Sequence, residues 1–229
     1  MLEYLSDFLL ELIIIFPIVL VTLSFHEWAH GFVAYKLGDP TAKYMGRLTL
    51  NPVRHIDPIG AICMLVAHFG WAKPVPIDIT NFKHPKRDLA LSAIAGPITN
   101  LLLGFVGCFF YVLVINILPT YTFEYPNELS LKLAKILIQF VFYFGWLNIS
   151  LALFNLLPIP PLDGSKILYA FLPPKANNWC KMHEREIAIT FMILLIVDSR
   201  FIGEYLTKFL SLGVNGIFTL FSQLFELIF

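Results

Sequence analysis

Residues 26–30 read His-Glu-Trp-Ala-His, an HExxH pattern. On an α-helix, residues four apart lie on one face about 5–6 Å from each other, so the His26 and His30 imidazoles can bind one metal ion. Glu27 lies at the edge of that face, where it can take a proton from a metal-bound water without being a ligand itself. The pattern therefore predicts metal-assisted hydrolysis, with one zinc ion per chain as the cofactor.

The segment that carries this pattern is otherwise apolar. From Leu12 to Tyr35, the acidic, basic and histidine residues are only the three of the HExxH motif: His26, Glu27 and His30. Ionisable groups are costly inside a membrane helix. A metal ion that neutralises and orders the three groups accounts for this cost, whereas two core histidines and a buried glutamate that match by chance do not.

The whole composition indicates a membrane protein. Of the 229 residues 58% are hydrophobic and only 14% are charged, against roughly 45–50% and 25% in soluble chains. This excludes a cytosolic enzyme, a secreted disulfide scaffold and a disordered partner. The 16 basic residues balance the 16 acidic ones, so a nucleic-acid partner has no electrostatic support.

We therefore predict an all-α polytopic membrane protein with four to six transmembrane helices in a single domain, residues 1–229. The first span covers 8–37 and carries HExxH, and two further main spans cover 89–118 and 133–157. Less regular apolar segments fill 187–229. Between the first two spans, residues 38–88 form a loop region with a re-entrant, partly β-like segment, since the apolar stretch 59–71 is short for a crossing.

The distribution of Lys and Arg gives the predicted orientation. Half of the 16 basic residues lie between Tyr35 and Leu89, and a full crossing by 59–71 would divide them between the two sides of the membrane. A re-entrant segment keeps all of them on the cytoplasmic side, as the positive-inside rule favours. The metal motif then lies towards the cytoplasm.

Two histidines leave a catalytic zinc one protein ligand short. The acidic candidates near membrane level are Asp57, in the segment 55–58, and Asp163, in the segment 158–164. Asp163 follows a long uncharged run and so arrives at the level of His26, and the prolines before it unravel the helix. Asp57 could equally cap the segment behind Pro58. Spacing favours Asp163 but leaves both candidates open.

Five segments, taken in order, resemble the motifs of the site-2 protease family, the intramembrane zinc metalloproteases. They are HEWAH at 26–30, NPVRHIDPIG at 51–60, GWAKPVPI at 70–77, AGPITN at 95–100 and FNLLPIPPLDG at 154–164. The resemblance is to the minimal bacterial and archaeal branch without a PDZ domain. It implies that His26, His30 and Asp163 bind zinc and that Glu27 is the general base, which decides against Asp57.

The resemblance also suggests what the protein acts on. Asn155 and Asn100 match family asparagines, and either amide could steady an oxyanion or hold an unwound substrate strand. The resemblance implies that the protein cleaves peptide bonds within or near transmembrane helices of membrane-protein substrates. It also implies that the protein lies in the bacterial inner membrane. A regulatory membrane partner is a further expectation.

Two other classes of function compete with proteolysis. A non-catalytic binder of transmembrane helices would use the same fold without cutting, but the chain retains both the HExxH motif and the aspartate. A zinc transporter needs ligands on several helices and usually a metal-collecting loop. The sequence offers a single histidine pair, His26 and His30, and no His-rich loop, so both alternatives are disfavoured.

Overall fold

A computed structural model describes residues 2–58, 60, 72–124, 127–197 and 202–228, and most of these residues are helical. The helices are α1 Leu2–Lys36, α2 Thr41–Tyr44, α3 Pro85–Glu124, α4 Glu128–Asn155, α5 Asp163–Phe171, α6 Pro174–Met182, α7 Glu184–Val197 and α8 Ile202–Ile228. Short 3-10 turns occupy Pro52–Arg54 and Ile79–Asn81. For the described residues, the predicted all-helical class is confirmed.

Four helices are long and apolar enough to cross a membrane. The spans are Leu10–Lys36, Pro85–Leu118, Glu128–Asn155 and Glu204–Leu227. Four is the lower end of the predicted range. Helix α7 has 14 residues, shorter than the roughly 20 that a crossing needs, so it is not among the spans found in the described part of the chain.

The third span starts earlier than its predicted boundary at residue 133 because of a helix cap. The Ser130 N–H donates to Oδ1 of Asn127 at 2.6 Å, and the Asn127 N–H donates to Oγ of Ser130 at 3.3 Å. This reciprocal pair forms a capping box and satisfies two backbone donors that would otherwise lack partners. Helix α4 therefore begins at Glu128.

The expectation of a re-entrant, partly β-like segment is not supported. The stretch 59–71 lies outside the described residues, apart from Gly60. Residues 73–77 are extended, but the described residues contain no strand and only an isolated bridge between Ile56 and Ala72. The reason is chemical, since Pro74 and Pro76 have no N–H to give to a ladder. The Lys73 N–H is already bonded to the His55 carbonyl, at 2.9 Å.

The membrane helices pack through small residues. A Cβ on Gly107 of α3 would lie 2.5 Å from the Cα of Gly145 on α4, so the two backbones are in direct contact there. One turn away, Gly104 makes room for Ile149 of α4 in the same manner. Lipid gives helices no hydrophobic reason to associate, so this close backbone approach supplies van der Waals contact instead. The fully buried Cys108 and Ile149 then pack against Val214 of α8.

Asp39 ties the end of α1 to the loop before α3. Its buried carboxylate accepts hydrogen bonds from the Thr41 N–H and hydroxyl, from the Asp78 N–H at 2.8 Å, and from Nδ2 of Asn81 at 2.8 Å. Burial alone would raise the pKa of Asp39, but these hydrogen bonds outweigh it and hold that pKa below its ordinary value. The carboxylate is therefore an anion that anchors residues 78–81 beside α1.

Candidate metal centre

The structure brings together the three predicted metal ligands. Helix α1 points His26 and His30 into the protein, and Asp163 reaches them from the first turn of α5; all three are buried. The Nε2 atoms of the two rings are 3.0 Å apart, and each lies 3.1 Å from Oδ2 of Asp163. The three atoms thus form a nearly equilateral triangle, and this is the metal-binding group found among the described residues.

The ring of His30 is oriented by the backbone of α3. Its Nδ1 lies 2.7 Å from the carbonyl oxygen of Ser92, and the Ser92 hydroxyl donates in return to the His30 carbonyl at 2.9 Å. A carbonyl oxygen can only accept, so Nδ1 carries the proton. In the neutral ring, Nε2 is then a bare lone pair that faces the triangle.

The ring of His26 is held by Asn100, whose Nδ2 is 3.0 Å from Nδ1. The amide is fully buried, and its Oδ1 has no partner. A flip exchanges the amide nitrogen and oxygen in place, after which Oδ1 accepts the Nδ1 proton and Nε2 of His26 is also a bare lone pair. In this orientation Asn100 fixes the tautomer of His26 that a metal ligand requires.

This arrangement fits a zinc ion. Two imidazole lone pairs and a carboxylate oxygen converge within 3.1 Å, which is unfavourable unless a cation lies between them. Ligand atoms of a tetrahedral zinc site, each about 2.0–2.1 Å from the ion, lie about 3.3 Å apart. The side lengths of the triangle agree with this value, and two nitrogens with one oxygen form a typical catalytic donor set.

The turn before α5 places Asp163. The chain folds back so tightly that a Cβ on Gly164 would lie 2.3 Å from the carbonyl oxygens of Leu156 and Leu157, so only glycine fits there. The other carboxylate oxygen, Oδ1, is 3.3 Å from Nζ of Lys166. Burial raises the pKa of Asp163, whereas the positive charge of Lys166 lowers it and favours the anionic carboxylate that a zinc ligand requires.

Gly96 of α3 forms the floor of the site. A Cβ at this position would lie 2.4 Å from Nε2 of His30 and 2.6 Å from Cε1 of His26. The two rings therefore occupy the volume that any other residue would fill. Ser92, Gly96 and Asn100 are spaced by four along α3 and supply a carbonyl acceptor, a cradle and an amide to the same pair of histidines.

Glu27 lies next to the triangle but outside it, as the sequence predicts for a base that is not a ligand. It is half-buried, and its Oε2 accepts a hydrogen bond from the Val75 N–H at 2.7 Å. Four further residues of the site were not predicted from the sequence: Val75, Ser92, Gly96 and Lys166. The spacing of four on α3 and the Lys three residues after Asp163 were the signals available.

The remaining sequence candidates lie elsewhere. Nδ2 of Asn155 donates to the Leu151 carbonyl of its own helix at 3.0 Å. Oδ1 of Asp57 accepts from the Gly60 N–H at 3.0 Å, which is the capping role that the sequence left open, and Asp57 does not join the triangle. His55 is buried, and its Nε2 donates to the Thr49 carbonyl at 2.7 Å.

Comparison with known proteins agrees with this geometry. The profile of Peptidase family M50 matches residues 13–198. The chain is 42% identical over 209 residues to "Putative zinc metalloprotease YwhC" of Bacillus subtilis. The aligned region covers 91% of this chain and 90% of that protein. It is 30% identical over 164 residues to "Putative zinc metalloprotease MJ0611" of Methanocaldococcus jannaschii, covering 68% of this chain and 71% of that protein.

A more distant relative is "Putative zinc metalloprotease Rip2" of Mycolicibacterium smegmatis, 28% identical over 184 residues, or 79% of this chain and 65% of that protein. No solved structure matches the chain. The family profile covers most of the sequence, and four apolar helices are long enough to cross a bilayer. The chain therefore belongs to Peptidase family M50, the site-2 protease family of membrane-embedded zinc metalloproteases.

Proposed function

We propose that the protein is an intramembrane protease that hydrolyses peptide bonds within or near the transmembrane helices of membrane-protein substrates. His26, His30 and Asp163 hold one zinc ion per chain, and Glu27 is the general base. The observation that carries the proposal is the buried triangle of three metal-ligating atoms, two on the membrane helix α1 and one at the start of α5.

A zinc ion held there would supply the Lewis acidity that polarises a peptide carbonyl and makes water nucleophilic near neutral pH. The residues of the chain do the rest. Ser92 and Asn100 keep both imidazoles in the tautomer that leaves Nε2 bare. Glu27 takes a proton from the attacking water and returns it to the leaving amine. Only Oε2 of Glu27 bonds to Val75, so lone pairs on Oε1 remain for that proton.

A helical substrate hides its carbonyls in backbone hydrogen bonds, so it must unwind locally before it can be cut. Asn155 is the last residue of the third span, eight residues before Asp163. One hydrogen of its Nδ2 bonds to the Leu151 carbonyl, and we assign the second to a carbonyl of the unwound substrate. Asn100, whose amide engages His26, we assign to positioning that ligand instead.

We place the protein in the bacterial inner membrane with the centre towards the cytoplasm. Support comes from the charge of the two sides. Basic residues lie at the end of α1, at the start of α3 and in helices α5 and α6, and two of them, Lys36 and Lys166, follow His30 and Asp163 within two turns of the same helices. The connection between α3 and α4 is flanked by Glu124 and Glu128 and has no basic residue. Basic loops stay in the cytoplasm. A regulatory membrane partner stays a prediction.

The first test is tightly bound zinc per chain in detergent-purified protein, with Asp163→Ala as the test variant and Asp57→Ala as its control. Asp57 is the aspartate that the sequence left open as a ligand; it caps a backbone N–H and is not part of the metal-ligating group. We expect about one zinc in the wild type and in Asp57→Ala and a sharp loss in Asp163→Ala. The opposite pattern would move the third ligand to Asp57.

The second test is cleavage of labelled single-span peptides of about 20 apolar residues, each with a helix-breaking Asn-Gly or Pro at a different depth, read by mass spectrometry. Wild type loaded with zinc should cut at least one peptide, and Glu27→Gln should not, although its zinc content is unchanged. Equal binding of peptides by both proteins with no cleavage by either would favour the non-catalytic helix binder.

A further inference from the structure

The extended segment 72–78 lies against the face of α1 that carries Glu27. Val75 is at the middle of this segment and is buried, 8% exposed. Its N–H donates to Oε2 of Glu27 at 2.7 Å. A backbone donor on a carboxylate makes a charge-assisted hydrogen bond, which is shorter and stronger than one between neutral groups.

The side chain of Val75 packs against α1 at Gly31, one turn after Glu27. A Cβ on Gly31 would lie 3.0 Å from Cγ1 of Val75, so the absence of a side chain at Gly31 provides the room. Glu27 and Gly31 are four residues apart and share one helix face. The N–H and the side chain of Val75 are therefore both fixed by the same strip of α1.

The peptide group that donates to Glu27 is also held from its other end. Nη2 of Arg47 donates to the carbonyl oxygens of Lys73 at 2.6 Å and of Pro74 at 3.3 Å. The Pro74 carbonyl and the Val75 N–H belong to one peptide group. A buried guanidinium thus polarises that group from one side while the carboxylate accepts from the other, an arrangement in which each hydrogen bond strengthens the next.

We propose that the Pro74–Val75 peptide group positions the Glu27 carboxylate, and that Arg47 is a positioning residue that acts through it. The inference rests on the proposed function, in which Glu27 is the base. Glutamate has three rotatable side-chain bonds, and a base must be held within hydrogen-bond reach of the proton that it takes. In this arrangement segment 72–78 supports the catalytic base of the enzyme.

Hydrogen exchange at single amides tests the contact without any cleavage. In Glu27→Ala the Val75 amide loses its acceptor, and we expect it to exchange about 10- to 100-fold faster, the loss of one hydrogen bond to a charged group. The internal control is the Asp78 amide in the same segment, which is held by Asp39 and should not change. Unchanged exchange at Val75, or equal acceleration at both amides, would overturn the proposal.

Kinetics with Arg47→Met, on a peptide that the wild type cuts, tests the role of Arg47. We expect kcat to fall about 10- to 100-fold, the usual effect of a misplaced catalytic group, while KM stays within about threefold and zinc stays at one per chain. The control is Arg54→Met, an exposed arginine of the same loop. Because a single nitrogen makes both contacts of Arg47, Arg47→Lys should recover much of the rate.

A purely structural role gives a different pattern. If Arg47 only stabilised the loop, Arg47→Met would lower the melting temperature and the zinc content along with kcat, and Lys would not rescue the rate selectively. A kcat equal to that of the wild type would refute the inference and leave the proposed function intact. A wild type that cuts none of the peptides would refute the proposed function, while Val75 exchange would still decide whether the contact exists.

Discussion

Replacement of Gly96 by alanine should separate the stability of a helix from the integrity of the metal centre. In the interior of a helix, Gly→Ala ordinarily stabilises the protein by roughly 0.5–1 kcal/mol, because alanine loses less backbone entropy on folding. At Gly96 the added methyl group would lie 2.4 Å from Nε2 of His30. We therefore expect a protein that folds but binds zinc poorly.

The size of the effect follows from this distance. A Cβ is essentially never closer than 3.0 Å to such an atom, so the His30 ring must move by at least 0.6 Å, the difference between 3.0 and 2.4 Å. Metal–ligand distances tolerate about 0.2 Å. The displacement exceeds this tolerance, and also strains the Ser92 contact that fixes the tautomer. A loss of about 10- to 100-fold in zinc affinity, or ~1.4–2.7 kcal/mol, is the expected minimum, comparable to the loss of an outer-shell partner.

The assay is competition for zinc with a chelator of known affinity, read as zinc per chain, combined with thermal unfolding in detergent with and without added zinc. Gly216→Ala is the matched control, because a Cβ at Gly216 in α8 meets nothing within 4 Å. We expect the control to bind zinc as the wild type does. In Gly96→Ala, added zinc should raise the melting temperature far less than in the wild type, since ligand stabilisation depends on affinity.

A wild-type zinc affinity in Gly96→Ala would refute the reasoning, since it would mean that the two rings do not occupy the volume above residue 96 when the site is in use. A variant that fails to fold while the α8 control folds would also count against it, because the clash is with movable side chains and not with backbone.

Three further outcomes follow from the same structure. Asn100→Ala should weaken zinc binding about 10- to 100-fold by releasing the His26 ring, measured by the same chelator competition. The pKa of Asp39 is lower in the folded protein than the value of about 3.9 in the unfolded chain, so its ionised carboxylate stabilises the folded protein at any pH above that value. This stabilisation is lost as the pH falls from about 3.9 through the pKa of the folded protein. The melting-temperature difference between wild type and Asp39→Asn should therefore shrink over that acidic range. Gly107→Ala should destabilise the protein by about 1–3 kcal/mol, measured by unfolding in detergent, because its methyl group would meet the Gly145 backbone.

The long apolar runs were sufficient to predict the first three spans, because helix is the form in which a single segment satisfies its backbone in lipid. HExxH was likewise sufficient to predict that His26 and His30 share one helix face. The third ligand was not settled by spacing, which left Asp57 and Asp163 open; the resemblance to the family selected Asp163. The capping box at Asn127 was also legible, but it lies in a polar stretch that hydropathy alone assigns to a loop.

The partners of the ligands could not be predicted, because they come from main-chain groups. The Ser92 carbonyl and the Val75 N–H are identical in kind to those of every other residue, so nothing in the residue types marks them. Pro74 and Pro76 argue against a strand in segment 73–77, although the loop region 38–88 was expected to be partly β-like. The role of Gly96 depends on where both imidazole rings lie, which the sequence does not give.

The reciprocal bonds between His30 and Ser92 have a mechanical consequence. Each residue gives its side chain to the main chain of the other, at 2.7 and 2.9 Å, so α1 and α3 are fastened together at the level of the metal centre. Sliding either helix past the other would break both bonds and rotate a ligand out of place. A substrate segment that enters between another pair of elements would leave both bonds and the orientation of His30 intact.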